Sequence, residues 1–299
     1  MKLAFGVHLS THGLYDYGAF LKTAVLADSL GYDYITIGDH IFVVPERAGG
    51  NPDRPYKLDS YTTLTALATQ TTRAKLGTRV SPLPFYNPTR LAKMLTTVDI
   101  ISGGRVIPGA GAGAGDGRSP ENNEFFRSGI GWFTPEERIG RMRESIDVML
   151  RLWSEDRTSF KGKYYSIPDM PFWPKPVQKP HPPIWFGGSG DRLLSTCAKY
   201  GVGIFPFPNA SLDALRDLND RLKKAEEKQG RRSHAMLTPS LVYPDGIGTA
   251  SSQWPEKIEE LANVGASVVM IDLSHRAVPP AEAQEFRKNF AQVFPKFKE

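Results

Sequence analysis

Eight short apolar runs, each followed by a helical pattern, recur in strict order along this 299-residue chain. No second compositional regime and no linker interrupts them. Strands and helices that alternate in this way build a parallel sheet covered by helices, and eight units close into a barrel more readily than they form an open sheet. The expectation is an α/β fold, one (β/α)8 TIM barrel spanning 1–299 as a single domain. Insertions are expected after strands two and four and before strand five.

The strands are read at 3–8, 34–37, 75–80, 105–108, 184–186, 203–207, 235–242 and 267–273. Tyr34, Ile35, Thr36 and Ile37 are aromatic or β-branched, the composition of a buried strand. Helices are read at 17–30, closed by Gly31, and from Asp59 or Ser60 to 72. A third follows the cap Asn87-Pro88 and stops at Gly103-Gly104. Thr134-Pro135-Glu136-Glu137 is a capping box, and Ile139, Met142, Ile146, Met149, Leu150 and Trp153 form the apolar face behind it. Further helices are read at 191–199, 211–228, 255–263 and 281–294. The polar, Pro- and Gly-rich stretch 44–59 is too long for an ordinary barrel connection and is read as a lid. Residues 158–183 are read as irregular.

Net charge is +5, with both signs interspersed rather than gathered in a block. That pattern argues against a nucleic-acid groove. Cys197 is the single cysteine, which excludes an intrachain disulfide and a cysteine-cluster metal site. No run of 18 apolar residues occurs, and no apolar leader with a cleavage site opens the sequence. A cytoplasmic protein that touches neither membrane nor nucleic acid is expected.

Gly38-Asp39-His40 ends the second strand. In a parallel barrel that is the carboxyl end, where such barrels do their chemistry. Locally the pair also reads as a hydrogen-bonded turn. The run Gly109-Ala110-Gly111-Ala112-Gly113-Ala114 meets a relaxed dinucleotide fingerprint, yet Gly115-Asp116-Gly117 after it starts no helix. It reads as uncovered main chain against which a ligand edge packs, or as a loop. Gly187-Gly188-Ser189 lies between a strand and a helix, where amides hold a phosphate or carboxylate. His8 and His12 lack the glutamate of a zinc-protease helix, and no metal is expected. A Gly-x-Ser-x-Gly elbow and a phosphate loop are both missing from the sequence.

Several of these segments together resemble the luciferase-like flavin and deazaflavin oxidoreductases. They are Gly38-Asp39-His40, Leu76-Gly77-Thr78, Asn87-Pro88-Thr89-Arg90-Leu91-Ala92-Lys93, Asp99-Ile100-Ile101-Ser102-Gly103-Gly104-Arg105 and the glycine run. Phe160-Lys161-Gly162-Lys163-Tyr164-Tyr165 and the long segment 174–188 extend the likeness over residues 3–205. The resemblance implies a (β/α)8 barrel, usually a homodimer, holding the deazaflavin coenzyme F420 or a flavin at the carboxyl-end face. The pattern is most similar to the F420-dependent branch, with FMN as the alternative.

By that resemblance a non-proline cis peptide is expected at Arg79–Val80, behind the ring. Asp39 matches the acid at the ring's polar edge, and His40 the histidine near the hydride-bearing carbon. Val80 would back the ring; Gly111, Ala112 and Gly113 would border it; Gly187, Gly188 and Ser189 would take the phosphate. In the sugar-phosphate-oxidising members a glutamate general acid follows these glycines, and its register falls on Ala114 here, which disfavours that substrate class. Glu124 matches another family position and is read as structural. The resulting expectation is hydride transfer between F420 and an unidentified organic substrate. Competing readings are an FMN-dependent monooxygenase, a glycosidase using Asp39 with Asp272 or Glu46, and a coenzyme-binding protein without catalysis.

Overall fold

The computed structural model describes residues 2–9, 17–41, 58–113, 123–207, 210–231, 236–242, 254–273, 291 and 293–298. The first half contains β1 (Ala4–Leu9), α1 (Tyr17–Leu30), β2 (Tyr34–Ile37), α2 (Ser60–Gln70), β3 (Lys75–Thr78) and β4 (Ser81–Pro82). It continues with α3 (Pro88–Ile101), β5 (Val106–Ile107), β6 (Gly109–Gly111), α4 (Glu124–Arg127) and α5 (Pro135–Ser154). Next come β7 (Arg157–Lys161), β8 (Ser166–Pro171), β9 (Trp185–Gly187), α6 (Asp191–Tyr200), β10 (Gly203–Phe205) and α7 (Leu212–Lys228). The remainder is β11 (Met236–Leu237), β12 (Ser240–Val242), α8 (Trp254–Asn263), β13 (Val268–Leu273) and a last helical turn, Pro295–Lys298. Nearly all of the expected lid at 44–59, and most of the expected closing helix at 281–294, lie outside the described residues.

The caps form where the local sequence places them. Asn87 Oδ1 accepts from the amides of Thr89 and Arg90, with Pro88 in the first turn of α3. Thr134 and Glu137 bond each other's main chain at the start of α5. Met142, Ile146, Met149 and Trp153 on the expected face of α5 are buried, Ile139 and Leu150 are half-buried, and Arg138 is buried as well. The stretch expected to be irregular before β9 contains an antiparallel hairpin, β7 with β8.

The barrel strands pair in parallel and in chain order, but their ladder is not one closed ring. It divides into a six-stranded sheet, β12-β13-β1-β2-β3-β5, and a five-stranded sheet, β11-β10-β9-β6-β4. The divisions fall inside the third, fourth and seventh expected strands. Arg79 and Val80 lie between β3 and β4, Pro108 between β5 and β6, and Pro239 between β11 and β12. A proline has no N–H to give to a ladder. The fourth strand pairs with β3 before Pro108 and with β9 after it. The glycine run is therefore partly strand: Gly109–Gly111 form β6.

Side chains of successive strand residues point to opposite faces, and two clusters result. Phe5, Val7, Ile35, Ile37, Val269 and Ile271 belong to the larger cluster shared with the helices. Tyr34, Ile107, Trp185, Phe205, Val268 and Met270 fill the inner side. On that inner side the next residues toward the carboxyl ends are polar: His8 stands in register with both Thr36 and Asp272.

Candidate active site

Strand carboxyl ends supply each piece of the site. Asp39 and His40 follow β2 directly, and the two side chains part company. Asp39 is buried and accepts from Ser60 Oγ at 2.6 Å and from Tyr86 Oη at 2.8 and 3.0 Å. Burial pushes its carboxyl above the ordinary aspartate range, against the pull of hydrogen bonds from Ser60, Ser81 and Tyr86 and of the charge on His40. A carboxyl so placed holds a proton more readily than an exposed one. His40 is exposed, and its Nδ1 lies 2.8 Å from Glu124 Oε2. The other oxygen of Glu124 accepts the Ile41 amide.

Beneath Asp39 runs a chain of hydroxyls. Tyr61 Oη lies 2.8 Å from Ser81 Oγ, which donates to Thr78 Oγ1 at 2.9 Å, and Thr78 donates to Gly109 O at 3.2 Å. It ties α2 to the ends of the third and fourth strands. Burial, with Asp39 nearby, raises the phenols of Tyr61 and Tyr86, so both act as neutral hydroxyls.

The Arg79–Val80 peptide is cis, as the resemblance implied. The guanidinium of Arg79 is turned inward, 3.1 Å from Asp272 Oδ2 and stacked 5.7 Å over the Phe205 ring. Desolvation by burial lowers the pKa of its guanidinium, and Asp272 offsets part of that. What Arg79 offers the mouth is main chain. Val80 is half-buried, and glycines pack against it. A Cβ at Gly111 would stand 2.6 Å from Val80 Cγ2, and one at Gly187 would stand 2.7 Å from the same atom. Any side chain at either position would displace the valine. Ends of the third, fourth and fifth strands thus meet around Val80, whose side chain lies on glycine main chain.

Ala112 and Gly113 continue from β6. Gly113 has φ +82°, and a Cβ there would lie 2.5 Å from the Phe125 ring, so glycine is required twice over. Its carbonyl accepts from Arg138 Nη1 at 3.2 Å, which accounts for an arginine on the buried face of α5. At the far side Gly187, Gly188 and Ser189 lead to Gly190, the cap residue of α6, which has no side chain to cover the helix amides. The Gly188 amide is given to Phe205 O at 3.0 Å. Arg221 donates to Ser189 O at 3.0 Å and to Asp191 Oδ1 at 2.8 Å, bringing a cation to this turn.

Among the expected residues, the structure joins Val80 to Gly111 and Gly187 and sets Asp39 beside His40. Ala114 and Glu46 lie outside the described residues. The carboxylates of the glycosidase reading are committed elsewhere, Asp39 to Ser60 and Tyr86, and Asp272 to Arg79. Sequence reasoning missed Ser60, Tyr61, Thr78, Ser81 and Tyr86, hydroxyl residues with no local signature. It read Glu124 as structural, and the structure shows that side chain bonded to His40 and to the Ile41 amide. Asn123, which accepts from the Phe125 and Phe126 amides and so starts α4, was the local sign that Glu124 is held in place.

Residues 3–245 match the family described as luciferase-like monooxygenase. An F420-dependent glucose-6-phosphate dehydrogenase of Amycolatopsis mediterranei (strain U-32) is 33% identical over 198 residues, 66% of this chain and 55% of that protein. An FMNH(2)-dependent dimethylsulfone monooxygenase of Pseudomonas putida is 32% identical over 204 residues, 68% of this chain and 52% of that protein. The chain thus spans about half the length of these curated relatives. A solved F420-dependent secondary alcohol dehydrogenase, in complex with an F420–acetone adduct, superposes with a TM-score of 0.81 over 100% of both chains. Its sequence identity is 18%, so that likeness is one of fold. Among the described residues no helix is long and apolar enough to cross a membrane.

Proposed function

We propose, from the premise that this chain belongs to the luciferase-like monooxygenase family, that it is an oxidoreductase moving a hydride between the deazaflavin coenzyme F420 and an organic substrate. One observation carries the reading: Val80, half-buried after a cis peptide, is seated on Gly111 and Gly187 where three strand ends adjoin. A side chain at 111 or 187 would displace the valine and with it the surface against which a planar heterocycle would lie. F420-dependent relatives support the choice of coenzyme.

When bound, the deazaflavin supplies a two-electron carrier whose reactive position is carbon. The chain's own residues do the rest. Val80 would back the ring, with the Arg79 main chain behind it, and Gly111, Ala112 and Gly113 would border it. The turn Gly187-Gly188-Ser189, at the positive end of α6 and beside Arg221, would hold the phosphate, with Gly188 shaping the turn because its amide is given to Phe205 O. Asp39, buried and bonded by Ser60 and Tyr86, would stand at the polar edge behind those hydroxyls, with a carboxyl that burial leaves ready to carry a proton. His40, exposed at the end of β2, would orient the substrate and move its proton. We place the enzyme in the cytoplasm as a homodimer, a state that light scattering after gel filtration reads directly.

The test is titration of the purified protein with F420 and with FMN, followed by absorbance and fluorescence. Binding of F420 in preference to FMN supports the reading; tight FMN binding with no affinity for F420 overturns it. The second reading, an FMN-dependent monooxygenase, draws on the likeness to the Pseudomonas putida protein. It predicts turnover of a test substrate with reduced FMN and oxygen.

A further inference from the structure

Glu124 makes two bonds to one short segment. Oε2 meets His40 Nδ1 at 2.8 Å and Oε1 takes the Ile41 amide, across 84 and 83 residues of sequence. Its own backbone is anchored: Asn123 Oδ1 accepts from the Phe125 and Phe126 amides, and the buried Phe125 packs on Phe85 with ring centroids 4.2 Å apart. The Glu124 side chain is 17% exposed, against 41% for His40, so the carboxylate is the more buried of the pair.

An ionised carboxylate only accepts hydrogen bonds, which puts the hydrogen on Nδ1 and, in the neutral ring, the lone pair on Nε2. The Ile41 bond holds the adjoining main chain to the same carboxylate, so ring and backbone are fixed together. We propose that Glu124 is the positioning carboxylate of His40, setting the imidazole through Nδ1 so that Nε2 is the nitrogen that exchanges a proton with the substrate. This rests on the reading of His40 as the substrate-facing residue. With the bound coenzyme as two-electron acceptor, the proton on the heteroatom beside the oxidised substrate carbon would pass to Nε2. The imidazolium so formed faces a carboxylate at hydrogen-bond distance, and in the reverse direction the proton returns.

The test is made on coenzyme-free protein labelled with 15N, reading the side-chain nitrogens of the six histidines above their titration, with His40→Asn to assign the signal. Wild-type His40 is expected as the Nδ1–H form. Glu124→Gln, which keeps the size but not the charge, and Glu124→Ala are each expected to move it toward the Nε2–H form. A His40 signal that is Nε2–H in the wild type, or unchanged in both variants while their melting temperatures fall, overturns the proposal and leaves Glu124 a tether for Ile41. F420 affinity is expected to stay within about twofold in both variants, since a positioning group adds little to ground-state binding. Absence of F420 binding by the wild type would overturn the coenzyme reading instead, and the spectra would still decide the link between Glu124 and His40.

Discussion

A methyl group at position 111 probes the cradle most directly. The Cβ would sit 2.6 Å from Val80 Cγ2, while its next neighbours, Ser81 O and Val80 Cβ, stand at 3.6 and 3.7 Å. Non-bonded carbons settle at about 3.5–4.0 Å, so a single valine methyl accounts for the conflict. Gly111→Ala alone is expected to destabilise by about 1–3 kcal/mol, the usual range for overpacking, and to weaken F420 binding because Val80 must turn from its place. Val80→Ala alone removes two half-buried methyls and should cost about 1 kcal/mol. Combined, the two changes relieve each other, and the double variant should be more stable than the sum by about 1–2 kcal/mol. Gly109→Ala serves as the control, because its Cβ would fall 1.9 Å from Thr78 O, a main-chain atom that Val80→Ala does not move. Urea denaturation reads stability, and quenching of F420 fluorescence reads binding. Additivity of Gly111→Ala and Val80→Ala within about 0.5 kcal/mol would refute the packing argument.

Asp272→Ala should destabilise by about 3–5 kcal/mol, since it leaves the guanidinium of Arg79 buried and uncompensated; a denaturation midpoint close to the wild type would contradict this. Asp28 binds the amides of Thr72, Arg73 and Ala74. Burial opposes its ionisation, but those donors win and hold its carboxyl below the ordinary range. Its contribution is therefore present above about pH 4 and lost as pH falls through the lowered value. The stability gap between wild type and Asp28→Asn should accordingly narrow on acidification, as urea curves at several pH values would show. Asp39 carries the opposite sign. Its raised carboxyl gives a contribution that is complete below about pH 4 and lost as pH rises through the raised value. Asp39→Asn should therefore gain on the wild type as pH increases; a gap that widens against the variant would count against a buried, proton-holding carboxyl. Gly113→Ala, blocked by both φ and Phe125, should lower stability by more than about 1 kcal/mol, and Phe125→Ala should not restore it, because the backbone conformation persists.

Helix starts and strand identities were readable because their causes lie within a few residues. Tyr17–Leu30 ends at Gly31, Asn87 caps α3 and Thr134 caps α5, each by contacts within one turn of the chain. Order in the barrel was readable too, since consecutive parallel strands neighbour one another. Pro108 and Pro239 mark two of the ladder's divisions, whereas the division at Arg79–Val80 and the burial of Arg138 on α5 were decided by tertiary structure. Arg138 is buried there with its Nη1 bonded to Gly113 O, 25 residues away. Tertiary structure also decided the partners of the site: Glu124 for His40 across 84 residues, and Asp272 for Arg79 across 193. Such pairings depend on which strand ends meet and how each loop is rotated, and no window of sequence a few residues wide contains that geometry.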